Sequence, residues 1–98
     1  MKTRFTLAAE LELDETRDFY DQREPGLGDR FLREVANAVL LIEEQPEAWP
    51  LVSDIERAYR IRKFPYRIVY FLHGDEVIVL AIAHFKRRLQ YWRNRSRN

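Results

Sequence analysis

The spacing of apolar residues divides the chain into a helical first half and a β-rich second half. Residues 3–7 are rich in β-branched and aromatic side chains and predict a short first strand. A helix then opens at Ala8, because Ala9, Leu13, Thr16 and Tyr20 recur at intervals that share one helical face. The acidic residues of this segment are expected on its solvated faces; they are Glu10, Glu12, Asp14, Asp18 and Asp21.

A second helix follows after a short break. Glu24-Pro25-Gly26 ends the first helix, because proline disfavours helix in the residue before it and glycine frees the turn. The second helix runs to Pro46, and the two should form an antiparallel hairpin. Its apolar face is predicted to contain Leu27, Phe31, Val35, Ala38 and Ile42, with Leu32 and Val39 beside them. Residues 46–56 read as an ordered loop in which Trp49 packs.

The second half changes to the two-residue period of strands. Residues 57–63 alternate and predict a strand with Arg60 and Arg62 on one face. Residues 66–72 form the next predicted strand, with Pro65 at its start or in a bulge. A hairpin turn at residues 73–76 leads to residues 77–83, which are apolar on both faces and predict a central, doubly covered strand.

These elements predict an α+β fold in two layers within one domain, residues 1–98. The order is an N-terminal strand, an α-helical hairpin packed on an antiparallel β-sheet meander, and a short C-terminal helix over residues 88–95.

Composition adds a strong charge asymmetry to this picture. Residues 1–56 contain 6 basic and 14 acidic side chains, a balance of −8, whereas residues 57–98 contain 11 basic and 2 acidic ones, a balance of +9. The second half is therefore expected to offer a basic face to an anionic partner. The alternative is that the two halves pair with each other, or that the basic end is only solvated.

Several classes of chemistry have no support in the sequence. There is no cysteine, and the two histidines, His73 and His84, stand outside any zinc-binding pattern, so no metal site and no cofactor are predicted. The longest strictly apolar run, residues 77–83, is too short to span a bilayer. The N-terminus lacks the apolar core of a signal peptide, so a cytoplasmic protein without membrane association is expected.

The basic half contains the candidate site. Arg60, Arg62 and Arg67 lie on adjacent predicted strands, and guanidinium groups bind phosphates and carboxylates bidentately. His84 ends the central strand shortly before Arg87, where it could transfer a proton while arginines stabilise a charged intermediate. The alternative for His84 is a hydrogen-bonded structural role at a strand end. Tyr91 and Trp92 could stack on nucleic acid bases or pack the C-terminal segment onto the sheet.

Four stretches resemble the RelE/ParE superfamily of type II toxin–antitoxin toxins, in its ParE-like, plasmid-stabilisation branch. They are Pro25-Gly26-Leu27-Gly28 with the start of the second helix, residues 63–70, residues 79–84, and Arg87 with Tyr91-Trp92 and Arg95. The resemblance implies a growth-inhibiting toxin, neutralised by a tightly bound cognate antitoxin in a complex of 2:2 or higher stoichiometry. ParE-like members inhibit DNA gyrase by binding, and RelE-like members cleave messenger RNA on the ribosome without a metal.

The resemblance also implies roles for Arg67, Arg87, Tyr91 and Arg60, and the other candidate residues follow from their charge and position in the chain. If the chain is a messenger RNA endonuclease, its catalytic residues are expected to be His84, Arg67, Arg87 and Tyr91. Contacts with the antitoxin or the target are expected from Arg60, Arg62, Lys63, Lys86, Arg88, Trp92, Arg93 and Arg95. The dense lysine set of RelE nucleases is thinner here, and Leu89 replaces a proline common in this branch. A degenerate toxin, kept only as an antitoxin-binding protein, is the third hypothesis.

Overall fold

The computed structural model describes residues 1–95. Its helices and strands, in chain order, are β1 Lys2–Phe5, α1 Leu7–Arg23, α2 Leu27–Glu44, β2 Arg57–Arg60, β3 Tyr66–His73 and β4 Glu76–His84. The strands form one sheet in the order β1-β4-β3-β2. Both helices pack on one face of this sheet, so the predicted α+β architecture is confirmed.

The sheet is mixed, because β1 runs parallel to its neighbour β4, while β2, β3 and β4 form the predicted antiparallel meander. The first strand ends earlier than predicted. Thr6 is the N-cap of α1, and its Oγ1 accepts a hydrogen bond of 3.2 Å from the backbone N–H of Ala9. Leu7 therefore belongs to the helix, where its side chain is exposed.

The predicted apolar faces of both helices are confirmed. Ala9 and Thr16 are buried on α1, and Leu13 and Tyr20 pack against the core. The buried predicted residues of α2 are Phe31, Val35, Ala38 and Ile42, and all four belong to the core cluster between the helices and the sheet. Leu27 lies outside this cluster and lines a surface groove. Trp49 packs edge to face on Tyr59 at 4.7 Å between ring centroids, as predicted for an ordered loop.

A β-bulge interrupts β4 at Leu80. Val69 pairs with Ala81 and Tyr70 pairs with Val79, so Leu80 has no partner on β3. Leu80 and Ala81 therefore pack on the same face, away from the helices. Because β1 pairs only as far as Val79, the outer edge of β4 beyond this point has no neighbouring strand within residues 1–95.

The predicted strand over residues 57–63 is wrong in its second half. β2 ends at Arg60, and Lys63 takes a left-handed conformation with φ +70° that turns the chain into β3. Arg62 consequently lines a groove against Glu34 and Asn37 of α2 and does not share a face with Arg60.

The predicted C-terminal helix is also wrong for the described part of the chain. Residues 86–95, called the tail from here on, form successive turns closed by bonds from Tyr91 N–H to Arg88 C=O and from Arg93 N–H to Gln90 C=O. Gln90 has φ +60°, which no α-helix accommodates. Trp92 is 4% exposed and packs the tail onto the sheet face opposite the helices. β4 is thus covered on both faces, as predicted. No helix within residues 1–95 has the length and hydrophobicity to span a membrane.

Candidate binding groove

A groove of about 290 Å³ lies between the tail and the sheet face opposite the helices. We call it the tail groove. It brings together six of the residues predicted from the sequence: Arg67, His84, Arg87, Arg88, Tyr91 and Trp92. An adjoining depression of about 430 Å³, here called the edge pocket, adds Arg60 and Trp49 and shares Arg67 with the tail groove. The structure therefore joins most of the predicted site on one continuous surface.

Arg60 and Arg67 share an aromatic support. They are directly paired across β2 and β3, and their guanidinium carbons lie 4.9 and 4.5 Å from the centroid of the Phe85 ring. Such cation–π stacking fixes the plane of each guanidinium while leaving its N–H edges available. Phe85 was missed at the sequence level, although its position directly after the buried strand and before three basic residues was an available signal.

His84 has a defined protonation pattern in this conformation. Its Nδ1 accepts a hydrogen bond of 2.9 Å from the backbone N–H of Lys86, and its ring meets Tyr66 edge to face at 4.9 Å. A backbone N–H can only donate, so Nδ1 carries no proton and its lone pair is occupied. His84 therefore stabilises the turn that starts the tail.

Tyr91 is held by three charged side chains. Its hydroxyl donates to Oε2 of Glu12 at 2.7 Å, and the guanidinium carbons of Arg87 and Arg95 lie 3.8 and 5.0 Å from its ring centroid. Burial, followed by the hydrogen bond to the Glu12 carboxylate, raises the pKa of the Tyr91 phenol well above its usual value. The phenol therefore stays protonated and serves as a fixed donor.

Glu12 is the central acceptor of this arrangement. Arg95 donates to its two carboxylate oxygens at 2.9 and 2.7 Å, and the backbone N–H of Ile82 donates to Oε1 at 3.0 Å. Arg95 also donates to the carbonyl of Leu80 at 3.0 Å. These bonds satisfy the N–H of Ile82 and the C=O of Leu80 on the edge of β4 that lies beyond the end of β1. The hydrogen bonds to Glu12 are the main cause of a raised pKa of Arg95, so the guanidinium keeps its charge.

The expectation that every acidic residue of the first helix is solvated is thus wrong for Glu12. Its side chain is 16% exposed, since α1 crosses the sheet beside β4. Arg95, predicted to contact a partner, is instead engaged within the chain. Asp21 stays exposed as expected, and its carboxylate also accepts the backbone N–H of Gly28 at 2.8 Å, which ties the two helices together.

The remaining predicted residues lie apart from the tail groove. Lys63 lines a groove of about 550 Å³ against α2, together with Arg30 and Arg33. Lys86 and Arg93 are exposed on the tail. Arg97, which contributes to the basic charge of the C-terminal segment, lies outside the described residues.

Most basic side chains of the second half have no acidic partner among residues 1–95. The ion pairs there involve Arg4, Arg17, Arg30 and Arg95, and only Arg95 belongs to the basic half. The two halves therefore do not neutralise each other within the described structure. No group of three or more His, Cys, Asp or Glu side chains that could hold a metal ion occurs in that part of the chain.

Comparison with known proteins agrees with this architecture. A solved structure described as a chromosomal ParDE toxin–antitoxin system from P. aeruginosa superimposes with a TM-score of 0.74 at 18% sequence identity. The superposition covers 86% of this chain and 95% of that one. No curated protein matches the sequence significantly. The family model of the ParE toxin of the type II toxin–antitoxin system parDE matches residues 3–89. With this match over most of its length, the chain belongs to the ParE toxin family of type II toxin–antitoxin systems.

Proposed function

We propose that this chain is a toxin that inhibits bacterial growth by binding a target protein, with DNA gyrase as the target. A cognate antitoxin, bound tightly in a complex of 2:2 or higher stoichiometry, holds it inactive in the cytoplasm. Membership of the ParE family supports the toxin role, and similarity to a chromosomal ParDE toxin–antitoxin system supports an antitoxin partner.

The hydrogen bonds already made in the tail groove support binding over catalysis. A general base needs an accessible lone pair within reach of the proton that it removes, and the Nδ1 lone pair of His84 is occupied by the Lys86 N–H. The proton of the Tyr91 hydroxyl is likewise committed to Glu12, so it is not free for a general acid. The groove is also lined by Arg67 and Arg87, whose guanidinium groups offer donors for an anion and no acceptor.

One observation favours the second candidate, a metal-free messenger RNA endonuclease. Arg67, His84, Arg87 and Tyr91 line a single groove, as an endonuclease of the RelE type would require. Such an enzyme would need His84 to release the Lys86 N–H before it could accept a proton.

Two assays on the same protein separate these candidates. We expect induced expression without an antitoxin to arrest growth, and the purified protein to inhibit supercoiling by gyrase while leaving messenger RNA intact in a translation extract. Cleavage of ribosome-bound messenger RNA with normal supercoiling would establish the endonuclease instead. Unimpaired growth would identify a degenerate toxin.

A matched pair of double variants tests the groove. Arg67→Gln with Arg87→Gln should abolish growth arrest, because both arginines line the tail groove. The control is Arg23→Gln with Arg33→Gln, which removes the same charge from the helical hairpin; Arg23 also stacks on an aromatic ring, Phe19, at 4.5 Å. Equal toxicity of the two double variants would contradict the role of the groove.

A further inference from the structure

The like-charged pair formed by Arg60 and Arg67 requires an explanation. The two residues are directly opposite each other on β2 and β3, a position in which like charges destabilise a sheet. Neither forms an ion pair with a carboxylate within residues 1–95. Both guanidinium groups nevertheless converge on the same ring, that of Phe85. We call Arg60, Arg67 and Phe85 the arginine clamp.

The clamp is organised in advance for a planar anion. Stacking on Phe85 restricts the rotation of both long side chains, so less conformational entropy is lost when a ligand binds. The N–H edges of a guanidinium match the two oxygens of a carboxylate, and such bidentate bonds are about twice as strong as neutral ones. An anion seated between the two arginines would also remove their mutual repulsion.

The surroundings of the clamp fit a peptide. The walls of the tail groove and the edge pocket near Arg67 include the aliphatic side chains of Val52, Ala58, Val69 and Ala83.

The aromatic rings beside them are already engaged. Phe85 and Tyr91 each support two arginines, Trp49 and Tyr59 pack on each other, and Trp92 is buried against the sheet. These rings therefore offer little free face for the base stacking on which single-stranded nucleic acid binding depends.

The geometry points to the arginine clamp as a carboxylate-binding site that anchors an acidic side chain of the antitoxin, with aliphatic neighbours of that side chain in the edge pocket. This inference rests on the proposed function, because it assigns the segment to the cognate antitoxin. Arg95 is not part of the proposed carboxylate site, because its charge is already neutralised by Glu12. Arg62 is not part of the site either, because it lies beside α2.

The test is the dissociation rate of the co-purified toxin–antitoxin complex, followed by exchange against an excess of labelled wild-type toxin. Each arginine replaced by glutamine should speed dissociation about tenfold, since a buried charged hydrogen bond is lost. The variants are Arg60→Gln, Arg67→Gln and the double variant. Arg23→Gln with Arg33→Gln, which removes two charges from the hairpin, should leave the rate unchanged.

A conservative variant distinguishes the clamp from general electrostatic attraction. Arg60→Lys with Arg67→Lys keeps the charge but loses the planar fork and its stacking on Phe85, so dissociation should remain faster than in the wild type. Full rescue by lysine would overturn the inference, as would a wild-type rate for the glutamine variants. Thermal unfolding verifies the fold of each variant, and the exposed Arg60 offers a single substitution with little structural cost.

Two further outcomes have separate meanings. If no antitoxin remains bound to the wild-type chain through purification, the proposed function itself is overturned. A ten-nucleotide single-stranded RNA is the second probe. One outcome is that this RNA binds the wild type and fails to bind the double glutamine variant, while the antitoxin complex of that variant dissociates at the wild-type rate. In that case the clamp binds phosphate, and the carboxylate assignment is wrong.

Discussion

Glu12 on α1 and Arg95 on the tail form a bidentate ion pair, with N–H···O distances of 2.9 and 2.7 Å, across 83 positions of the sequence. The pair is less than a quarter exposed on both side chains. It also links the helical layer to the tail through the free edge of β4. Removing either partner would leave a largely buried charge without its counter-ion. It would also leave one backbone group without its bond, the N–H of Ile82 if Glu12 is removed or the C=O of Leu80 if Arg95 is removed.

Glu12→Gln should lower the free energy of unfolding by roughly 2–3 kcal/mol, because a partly buried ion pair and its shared hydrogen bonds are lost. Urea unfolding of the purified chain measures this difference. Glu15→Gln is the matched control on the exposed face of α1 and should change stability by less than about 0.5 kcal/mol.

Hydrogen exchange at single amides can detect the loss of the Glu12 side chain. The amide of Ile82 donates to Glu12, whereas the amide of Phe85 donates to the carbonyl of Pro65 at 2.9 Å. Glu12→Ala should therefore speed exchange at Ile82 more than at Phe85. Equal acceleration at both amides would show a global loss of stability and contradict the specific contact.

Alkaline pH should destabilise the fold through Tyr70. Its hydroxyl donates to the carbonyl of Pro46 at 2.7 Å, and burial raises its pKa from 10.0 to about 12. The unfolded chain thus releases this proton first, so the stability is present below pH 10 and falls between pH 10 and about 12. The expected loss is roughly 3 kcal/mol, since the pKa rises by about two units and each unit corresponds to about 1.4 kcal/mol.

Tyr70→Phe provides the comparison for this pH dependence. It should cost about 1 kcal/mol at pH 7 through the lost hydrogen bond, but its stability should fall less steeply above about pH 10. The stability of the variant should still fall somewhat as the pH rises, because burial also raises the pKa of Tyr91 and Tyr20. Parallel pH curves for the variant and the wild type would contradict this assignment.

Replacing Gly28 by alanine tests the close contact between the two helices. A Cβ atom there would lie 2.6 Å from the carbonyl oxygen of Arg17 and 2.7 Å from a carboxylate oxygen of Asp21. Helix propensity alone predicts that Gly28→Ala stabilises α2. We expect instead a loss of about 2 kcal/mol, because the backbone of α1 cannot move away cheaply.

Gly26→Ala is the control in thermal unfolding. Gly26 has φ +88°, and a Cβ atom at this position would meet no other atom within 4 Å, so only backbone strain of about 1 kcal/mol is expected. A gain of stability in Gly28→Ala would show that the helices separate more readily than the close approach suggests.

The sequence predicted the layers of this fold better than its polar contacts. The faces of α2 and β4 follow from periodicity, because Phe31 and Ile42 recur at helical spacing and residues 77–83 are uniformly apolar. Periodicity carries no information about which carboxylate meets a distant donor. Glu12 resembles Glu10 and Asp14 in sequence, and only the early end of β1 and the path of the tail give it partners.

The tail groove was predicted only in part for the same reason. Arg67, His84 and Arg87 were found because they lie on or just after predicted strands. Arg62 was assigned to the wrong face because Lys63 adopts a left-handed conformation, which a lysine in the sequence does not indicate. The tail was misread as a helix because its turns are held by Trp92 on the sheet and by Arg95 on Glu12, both of which are tertiary contacts.

The end of β1 at Phe5 has a consequence for the behaviour of many copies of this chain. Because β1 pairs only as far as Val79, β4 continues as an apolar strand whose outer edge has no strand partner within residues 1–95, and such an edge is a template for pairing with another molecule. Glu12 and Arg95 cover the N–H of Ile82 and the C=O of Leu80 with charged groups that no incoming strand can replace. The Glu12–Arg95 ion pair, which holds the tail in place, therefore also protects the sheet against edge-to-edge aggregation.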